Sequence, residues 1–369
     1  MPADPRQCFG LVVALQANYC WVDLVPAAAQ AGQPQPQPQR LLCTRRTRLA
    51  KSGQTICVGD RVRLDGIDWS SGRAAIAAVE PRSSLVRRPA VANVSLVVVV
   101  VAVAEPALDP IQLTRFLLTA EATGQPVLLV FSKADLLPEL AVSQWSERAA
   151  AWGYGALPVS CRDGRGLEAL RERLSQPGLA VVCGPSGVGK SSLLNGLRPG
   201  LELPVAAVSG RLQRGRHTTR HVELFALAPG ALVADTPGFT RPDLPADPAR
   251  LAGLFPEVRQ RLARASCQFR DCLHQGEPGC AVGDDWERHP WYGLCLHDLL
   301  EQQDRLQRQG QQRSGNQGLR QRGDRLEPRL SPQLRQPSRR RQRQRLLGRV
   351  EEGGSEDGGP SFSPPDPAG

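Results

Sequence analysis

Lysine is nearly missing from this chain. Of 46 basic residues only Lys51, Lys133 and Lys190 are lysine, and the others are arginine. Aromatic residues make up 5% and methionine occurs once. No apolar run approaches the roughly 20 residues that a membrane-spanning helix requires. The longest, residues 94–104, is broken only by Ser95 and reads as a buried strand. A basic segment followed by an apolar one is absent from residues 1–10, so no secretory leader is expected there. Ten cysteines spread over 369 residues are too dilute for a disulfide-built scaffold. These absences exclude a helical membrane protein and a small secreted domain, and they fit a reduced, cytoplasmic protein.

What is present points to several domains. At roughly 100–200 residues per domain the length allows two or three, and 41% hydrophobic residues can build their cores. The net charge of +10 is unevenly spread. Residues 301–349 hold 14 arginines against 4 acids, and residues 350–369 hold 5 acids and no base. An arginine-rich segment suits a polyanionic partner such as nucleic acid.

Composition divides the chain into four regions. Residues 1–85 carry β-type segments at 10–25 and 61–64, separated by a Pro-Gln run at 33–39 that reads as a loop. A small barrel is expected, with Arg45, Arg46, Arg48, Lys51, Arg61 and Arg63 giving it a basic face. Its aromatics are Phe9, Tyr19, Trp21 and Trp69. Some of them are expected in the core, which favours phosphate and shape contacts over base stacking. Residues 86–250 alternate apolar strands (96–103, 127–131, 157–159, 179–183, 222–226, 231–234) with helical stretches (108–123, 139–152, 166–174, 190–197). That alternation predicts a parallel sheet covered on both faces. Residues 251–308 gather three cysteines and a histidine before an amphipathic stretch at 286–306. Residues 309–369, rich in Gln, Arg, Gly, Pro and Ser, are expected to be disordered.

The stretch Gly184, Pro185, Ser186, Gly187, Val188, Gly189, Lys190, Ser191 matches the phosphate-binding pattern G-x-x-x-x-G-K-[ST]. A strand precedes it, and a helix beginning at Ser192 follows. The glycines let backbone N–H groups wrap phosphates at the helix N-terminus. Lys190 would neutralise the β- and γ-phosphates, and Ser191 would ligate Mg²⁺. A compact ammonium suits that position better than a planar guanidinium, and two of the three lysines lie in nucleotide motifs. Asp235-Thr-Pro-Gly238 follows a predicted strand: Asp235 would hold Mg²⁺ through water, and Gly238 would offer its N–H to the γ-phosphate. Between the two motifs, Thr218 or Thr219 in the stretch 214–220 would close over Mg²⁺ as a switch loop; a plain basic surface loop is the alternative.

Ser132-Lys133-Ala134-Asp135 resembles the N-K-x-D signature of GTPases with Ser in place of Asn. Asp135 would accept two hydrogen bonds from guanine, and the Lys133 stem would cover the base. Ser132 keeps a hydroxyl, so weaker loop anchoring is expected without loss of guanine choice. Ser160 and Cys161, after the next strand, occupy the place of a purine-contacting loop. This base motif precedes the phosphate loop, the reverse of the ordinary order, so the chain is circularly permuted. Termini of compact domains often lie close together, which permits the rearrangement.

Cys267-x₄-Cys272-x-His274-x₅-Cys280 offers three thiolates and an imidazole, a set suited to one structural, tetrahedral Zn²⁺. The remaining cysteines are expected to be buried or free thiols.

A barrel, a permuted GTPase and this Cys₃His module together resemble the RsgA (YjeQ) family over about residues 8–308. The resemblance rests on residues 184–195, 214–219 and 267–282, and on Val58-Gly-Asp-Arg-Val62. It implies an OB-type barrel and GTP hydrolysis stimulated by the small ribosomal subunit. It further implies late maturation of that subunit through rRNA binding, and a monomer as the default. Ser132 departs from the pattern, and the tail after about 309 is no part of it. Phe239 stands where many GTPases carry a water-orienting Gln, so slow intrinsic hydrolysis is expected. His217 is the candidate water-orienting group beside Lys190, Thr218 and Thr219, with a phosphate or RNA contact as its alternative. Three rival readings are a nucleotide-controlled RNA-binding switch with negligible hydrolysis, an ATPase, and a zinc-finger nucleic-acid binder.

Overall fold

A computed structural model describes residues 8–16, 19–25, 39–46, 55–87, 90–198, 222–235, 242, 244, 247–315, 317–322 and 325–330. Residues up to Leu300 form one compact unit and those from Glu301 a second, the boundary falling within one helix. No helix among the described residues is long and apolar enough to cross a membrane.

The N-terminal region is a five-stranded barrel. Strands β1 (Cys8–Gln16), β2 (Tyr19–Leu24), β3 (Arg40–Arg45), β4 (Arg61–Asp68) and β5 (Arg73–Val79) follow the order β1-β2-β3-β5-β4, and β4 closes back on β1. β3 runs parallel to β5; the other pairs are antiparallel. Alternation sends Val12, Val22, Leu41, Val62, Leu64 and Ile76 into the core. Aliphatic side chains and two cysteines fill this narrow interior, which leaves little room for large rings. Phe9, Tyr19 and Trp69 are accordingly 38%, 45% and 56% exposed. Of the aromatics expected to be partly core, Trp21 alone packs against a core cluster, one that the barrel's Val13 shares with the α/β region. On the expected basic face Arg45, Arg46 and Arg61 are exposed and Arg63 is half-buried. Arg46 is ion-paired with Asp65 at 3.0 Å, while Arg48 and Lys51 lie outside the described residues.

After a short hairpin of β6 (Leu85–Arg87) and β7 (Ala90–Ala92), the α/β region begins. Its elements are β8 (Leu96–Ala102), α1 (Pro110–Glu121), β9 (Val127–Ser132), α2 (Glu139–Ala151) and β10 (Ala156–Pro158). Then come α3 (Leu167–Leu174), β11 (Gly178–Cys183), α4 (Lys190–Leu197), β12 (Glu223–Ala228) and β13 (Ala231–Asp235). The strands order as β10-β9-β8-β11-β13-β12. β8 explains the valine run. Val97, Val99 and Val101 share a cluster with Leu113, Phe116 and Leu117 of α1, while Val98 and Val100 share one with Leu170 of α3 and Leu193 of α4. A strand covered on both faces needs apolar residues at every position.

The sheet is not wholly parallel, as the alternation suggested. β12 runs antiparallel to β13, because Pro229 and Gly230 (φ +75°) leave only a tight hairpin between them. β12 also pairs with β1 through Ala14 and Glu223, so barrel and α/β region share one eleven-stranded sheet. A second joint lies at Val58-Gly59-Asp60. Gly59 (φ +86°) sits so close to the Ala92 carbonyl that an added Cβ would lie 2.2 Å from it. The buried Asp60 is clamped by Arg82 at 2.7 and 2.8 Å and by the Cys57 N–H.

The C-terminal module comprises α5 (Pro256–Leu262), the cysteine loop and α6 (His289–Gly315). Leu251, Phe255, Val282, Trp286, Tyr292 and Leu299 form its core together with Leu118 of α1. Arg288 is fully buried, paired with Glu257, and its guanidinium faces the rings of Phe255 and Trp152. Of the expected disordered tail, the structure describes the end of α6 and a hairpin of β14 (Gln317–Arg322) and β15 (Arg325–Leu330). Residues 331–369 lie outside the described residues.

Candidate functional site

β8, β9, β10 and β11 run parallel, and the loops at their carboxyl ends form one edge, the usual ligand position in such sheets. The phosphate loop leaves β11 there. Gly184 (φ +142°) passes against β8: a Cβ would lie 2.0 Å from the Val100 carbonyl oxygen, so only glycine fits. Gly187 and Gly189 adopt φ of +81° and +87° and turn the chain into α4. Ser186 and Gly187 are exposed at the tip; Gly184, Pro185 and Val188 are buried beneath it. Lys190 Nζ donates to the Gly184 and Pro185 carbonyls at 2.9 and 2.7 Å. Its charge therefore already sits inside the loop, where phosphate oxygens would take those bonds over. Ser191 and Ser192 are half-buried in the first turn of α4, near the positive end of its dipole.

The base motif lies alongside. Ser132 Oγ is 2.6 Å from the Val188 carbonyl and 3.2 Å from the Val101 carbonyl. One hydroxyl proton serves the nearer acceptor, so Ser132 ties the base motif directly to the phosphate loop. Lys133 takes a left-handed conformation (φ +55°), and its ammonium donates to the Glu105 carbonyl. The Ala134 N–H bonds the Val159 carbonyl at 3.1 Å, which joins the motif to the loop after β10. In that loop Ser160 Oγ accepts from the N–H groups of Arg162 and Asp163. Burial first, and then the Asp135 carboxylate, push the exposed Cys161 thiol up. The three sequence-distant stretches 132–135, 159–161 and 184–191 thus meet.

Asp235 ends β13 opposite Val182, two residues before Gly184, so its backbone reaches the same edge. His217, Thr218, Thr219, Gly238 and Phe239 lie outside the described residues, as does the Asp235 side chain. Sequence reading missed the link from Ser132 to Val188; the retained hydroxyl was its only sign. Ser132→Ala leaves the buried Val188 carbonyl without its donor, a loss of about 1–3 kcal/mol. GTP affinity, measured by equilibrium titration, should fall about tenfold, and Ser132→Asn should keep it near that of the parent protein.

The metal-type site is equally local. The ligand atoms of Cys267, Cys272, His274 and Cys280 all lie within 4.8 Å of one another. His274 Nδ1 is 3.6, 3.5 and 3.4 Å from the three sulfurs. A tetrahedral zinc with ordinary Zn–S and Zn–N bonds would set N and S about 3.6 Å apart. Geometry and donor set therefore both fit Zn²⁺. Burial lowers the His274 pKa and so favours the neutral ring that a metal requires. Partners hold the loop around these ligands. Glu277 accepts from the N–H groups of Leu273 and Gln275, Tyr292 donates to the Leu273 carbonyl at 2.6 Å, and Ala281 N–H points at Cys267 Sγ. His274 is left-handed (φ +59°), and its carbonyl lies 3.2 Å from His289 Nε2.

Comparison with known proteins identifies a family. The family model described as RsgA GTPase matches residues 79–245. A protein of Synechococcus sp. (strain CC9605), "Small ribosomal subunit biogenesis GTPase RsgA", is 59% identical over 287 residues, covering 78% of this chain and 92% of its own. One of the same name from Parasynechococcus marenigrum (strain WH8102) is 57% identical and covers 80% and 97%. Among solved structures, YjeQ from Thermotoga maritima superposes with a TM-score of 0.66 at 30% identity, covering 80% of this chain and 99% of that one. YloQ, described as a circularly permuted GTPase, gives 0.64 at 25% identity, covering 81% and 96%.

Proposed function

The chain belongs to the RsgA family of small-ribosomal-subunit biogenesis GTPases, and from that premise we propose how its residues carry the reaction and what triggers it. GTP binds along the carboxyl edge of the sheet. Asp135 reads the guanine edge, the Lys133 stem lies over the base, and the loop at Ser160 and Cys161 closes the purine side. The backbone of 184–189 and Lys190 hold the β- and γ-phosphates. The observation that carries this reading is the Ser132–Val188 bond, which ties the base motif to the phosphate loop.

Ser191, Thr218 or Thr219, and Asp235 through water would hold Mg²⁺, which when bound neutralises charge on the β- and γ-phosphate oxygens. In hydrolysis a water oxygen bonds to the γ-phosphorus and the bond to the β,γ-bridging oxygen breaks. GDP and inorganic phosphate leave, and the water's proton passes to the phosphate products. Phe239 has no group to orient that water. We assign the task to His217, acting when the small subunit engages residues 214–220. Barrel arginines contact rRNA phosphates, and the exposed Phe9, Tyr19 and Trp69 offer faces on which unpaired bases stack, each worth about 1–3 kcal/mol. On this reading the protein acts in the cytoplasm, as a monomer, in late subunit maturation.

The decisive test is GTP turnover by the purified protein alone, with small subunits, and with large subunits as control. Small subunits alone should stimulate strongly, and His217→Ala should remove most of that stimulation while leaving basal turnover intact. GTP binding without stimulation would favour the second reading, a nucleotide-controlled RNA-binding switch, to which Phe239 in place of a glutamine points. Full stimulation of His217→Ala would remove that residue from the mechanism.

A further inference from the structure

The turn between β8 and α1, residues 103–109, carries a feature that neither the phosphate loop nor the base motif accounts for. Glu105 is a non-glycine residue in the left-handed region, at φ +53°. Such a backbone is uncommon outside glycine and persists where its surroundings impose it. Here the Glu105 carbonyl accepts from the Lys133 ammonium of the base motif. The next residue, Pro106, lies against the phosphate loop. A Cβ added to Gly187 would come within 4.0 Å of Pro106 Cδ, and Pro106 shares a small cleft with Pro185 and Val188. Asp109 fixes the far end of the turn, accepting from the Ile111 N–H at 2.9 Å and so capping α1. Two consecutive residues thus border both halves of the nucleotide site.

A nucleotide bound as proposed above puts guanine on Lys133 and Asp135 and its phosphates on residues 184–190. The sugar then lies between them, in the gap that Glu105 and Pro106 border. Glu105 is exposed, and its carboxylate has no hydrogen-bond or ion-pair partner among the described residues. A free carboxylate beside a triphosphate is repelled by it, a cost that hydrogen bonds donated by the same molecule offset. Between the base and the phosphates of GTP the only donors are the ribose 2′- and 3′-hydroxyls. A carboxylate has two acceptor oxygens for that pair, and an acidic residue takes ribose in this way in dinucleotide-binding folds.

We propose that Glu105 reads the sugar: its carboxylate accepts from the ribose 2′- and 3′-hydroxyls and makes the site prefer ribonucleotides to nucleotides lacking them. The inference rests on the guanine-nucleotide reading above and adds to it the choice of sugar. Because the carbonyl of the same residue holds Lys133, one residue sets both the cover of the base and the contact to the ribose.

The test measures the equilibrium affinity of the full chain for GTP and for 2′,3′-dideoxy-GTP. Hydrogen bonds to a charged group change affinity by about tenfold or more, so the parent protein should prefer GTP by about that factor. Glu105→Gly suits the left-handed backbone and removes the carboxylate with the turn intact. It should lower GTP affinity by the same factor and leave dideoxy-GTP unchanged, so that the preference disappears. Glu105→Gln keeps one acceptor oxygen without the charge and should fall between the two. A parent protein that binds both nucleotides equally overturns the proposal. So does a Glu105→Gly protein that keeps the parent's preference. Equal loss of both nucleotides in Glu105→Gly overturns it too, because the residue then acts only through Lys133. Competition by ATP tests the base separately. If ATP competes as well as GTP while the sugar preference depends on Glu105, the guanine reading falls and this one stands.

Discussion

Lys190→Ala should lower kcat/KM for GTP by about 10²–10³, with the fold intact. The size follows from removing one preorganised charge donor aimed at developing phosphate charge in a water-poor site. The loop's other donors are backbone N–H groups, which the substitution does not touch. Gly184 stays pressed on Val100, and α4 still begins at the same residue. The loss therefore belongs to chemistry and phosphate affinity rather than to folding, and the melting temperature should move by only a few degrees. Lys190→Arg should not rescue activity. The ammonium sits between the Gly184 and Pro185 carbonyls, a space set by a compact donor. Equilibrium GTP binding and single-turnover hydrolysis are the measurements. Turnover within threefold of the parent protein would mean that the loop does not hold the reacting phosphates.

Removing the metal should have the larger effect on stability. Structural zinc contributes about 10–16 kcal/mol of apparent binding free energy in small zinc modules. Here four ligands within fourteen residues would be organised by it. The purified protein should contain one zinc per chain, and Cys272→Ser should contain essentially none. Because the Leu273 carbonyl anchors Tyr292, and Trp286 and Phe255 pack edge-on against each other, disorder in the loop should reach the module's core. A fall in melting temperature of about 10 °C or more is expected, with a change in the tryptophan fluorescence contributed by Trp286. Each thiol that binds zinc must first release its proton, so zinc affinity should weaken as the pH falls. Metal analysis that finds no zinc in the parent protein, or full zinc in Cys272→Ser, would remove the ion from the account. With Mg²⁺ supplied, nucleotide binding should survive removal of zinc, since no residue of the phosphate loop or base motif bonds the cysteine loop among the described contacts.

Much of this was legible in the chain because the signals were short-range. The phosphate loop needs glycine at fixed spacing whatever surrounds it, and the four candidate metal ligands are near neighbours in sequence. The valine run at 96–101 marked a strand buried on both faces. β3 and β5 of the barrel were harder to see, since Arg40–Arg45 and Arg73–Val79 are short and lie beside polar turns. Pro229 and Gly230 carried a hairpin signal that the strand–helix rhythm of the neighbouring residues obscured.

The sequence by itself determined the chemistry: which residues can hold phosphate, guanine and a soft divalent metal, and in what chain order. Those demands are met by residue type and local spacing. Only the tertiary structure decided that Ser132 reaches Val188, that β12 turns back to join the barrel's β1, and that Phe9, Tyr19 and Trp69 face outward. These outcomes depend on how separate elements compete for one another's surfaces and unpaired backbone groups. A narrow barrel filled by aliphatic side chains leaves its rings outside, and an edge strand pairs with whichever neighbour the packed cores bring alongside it.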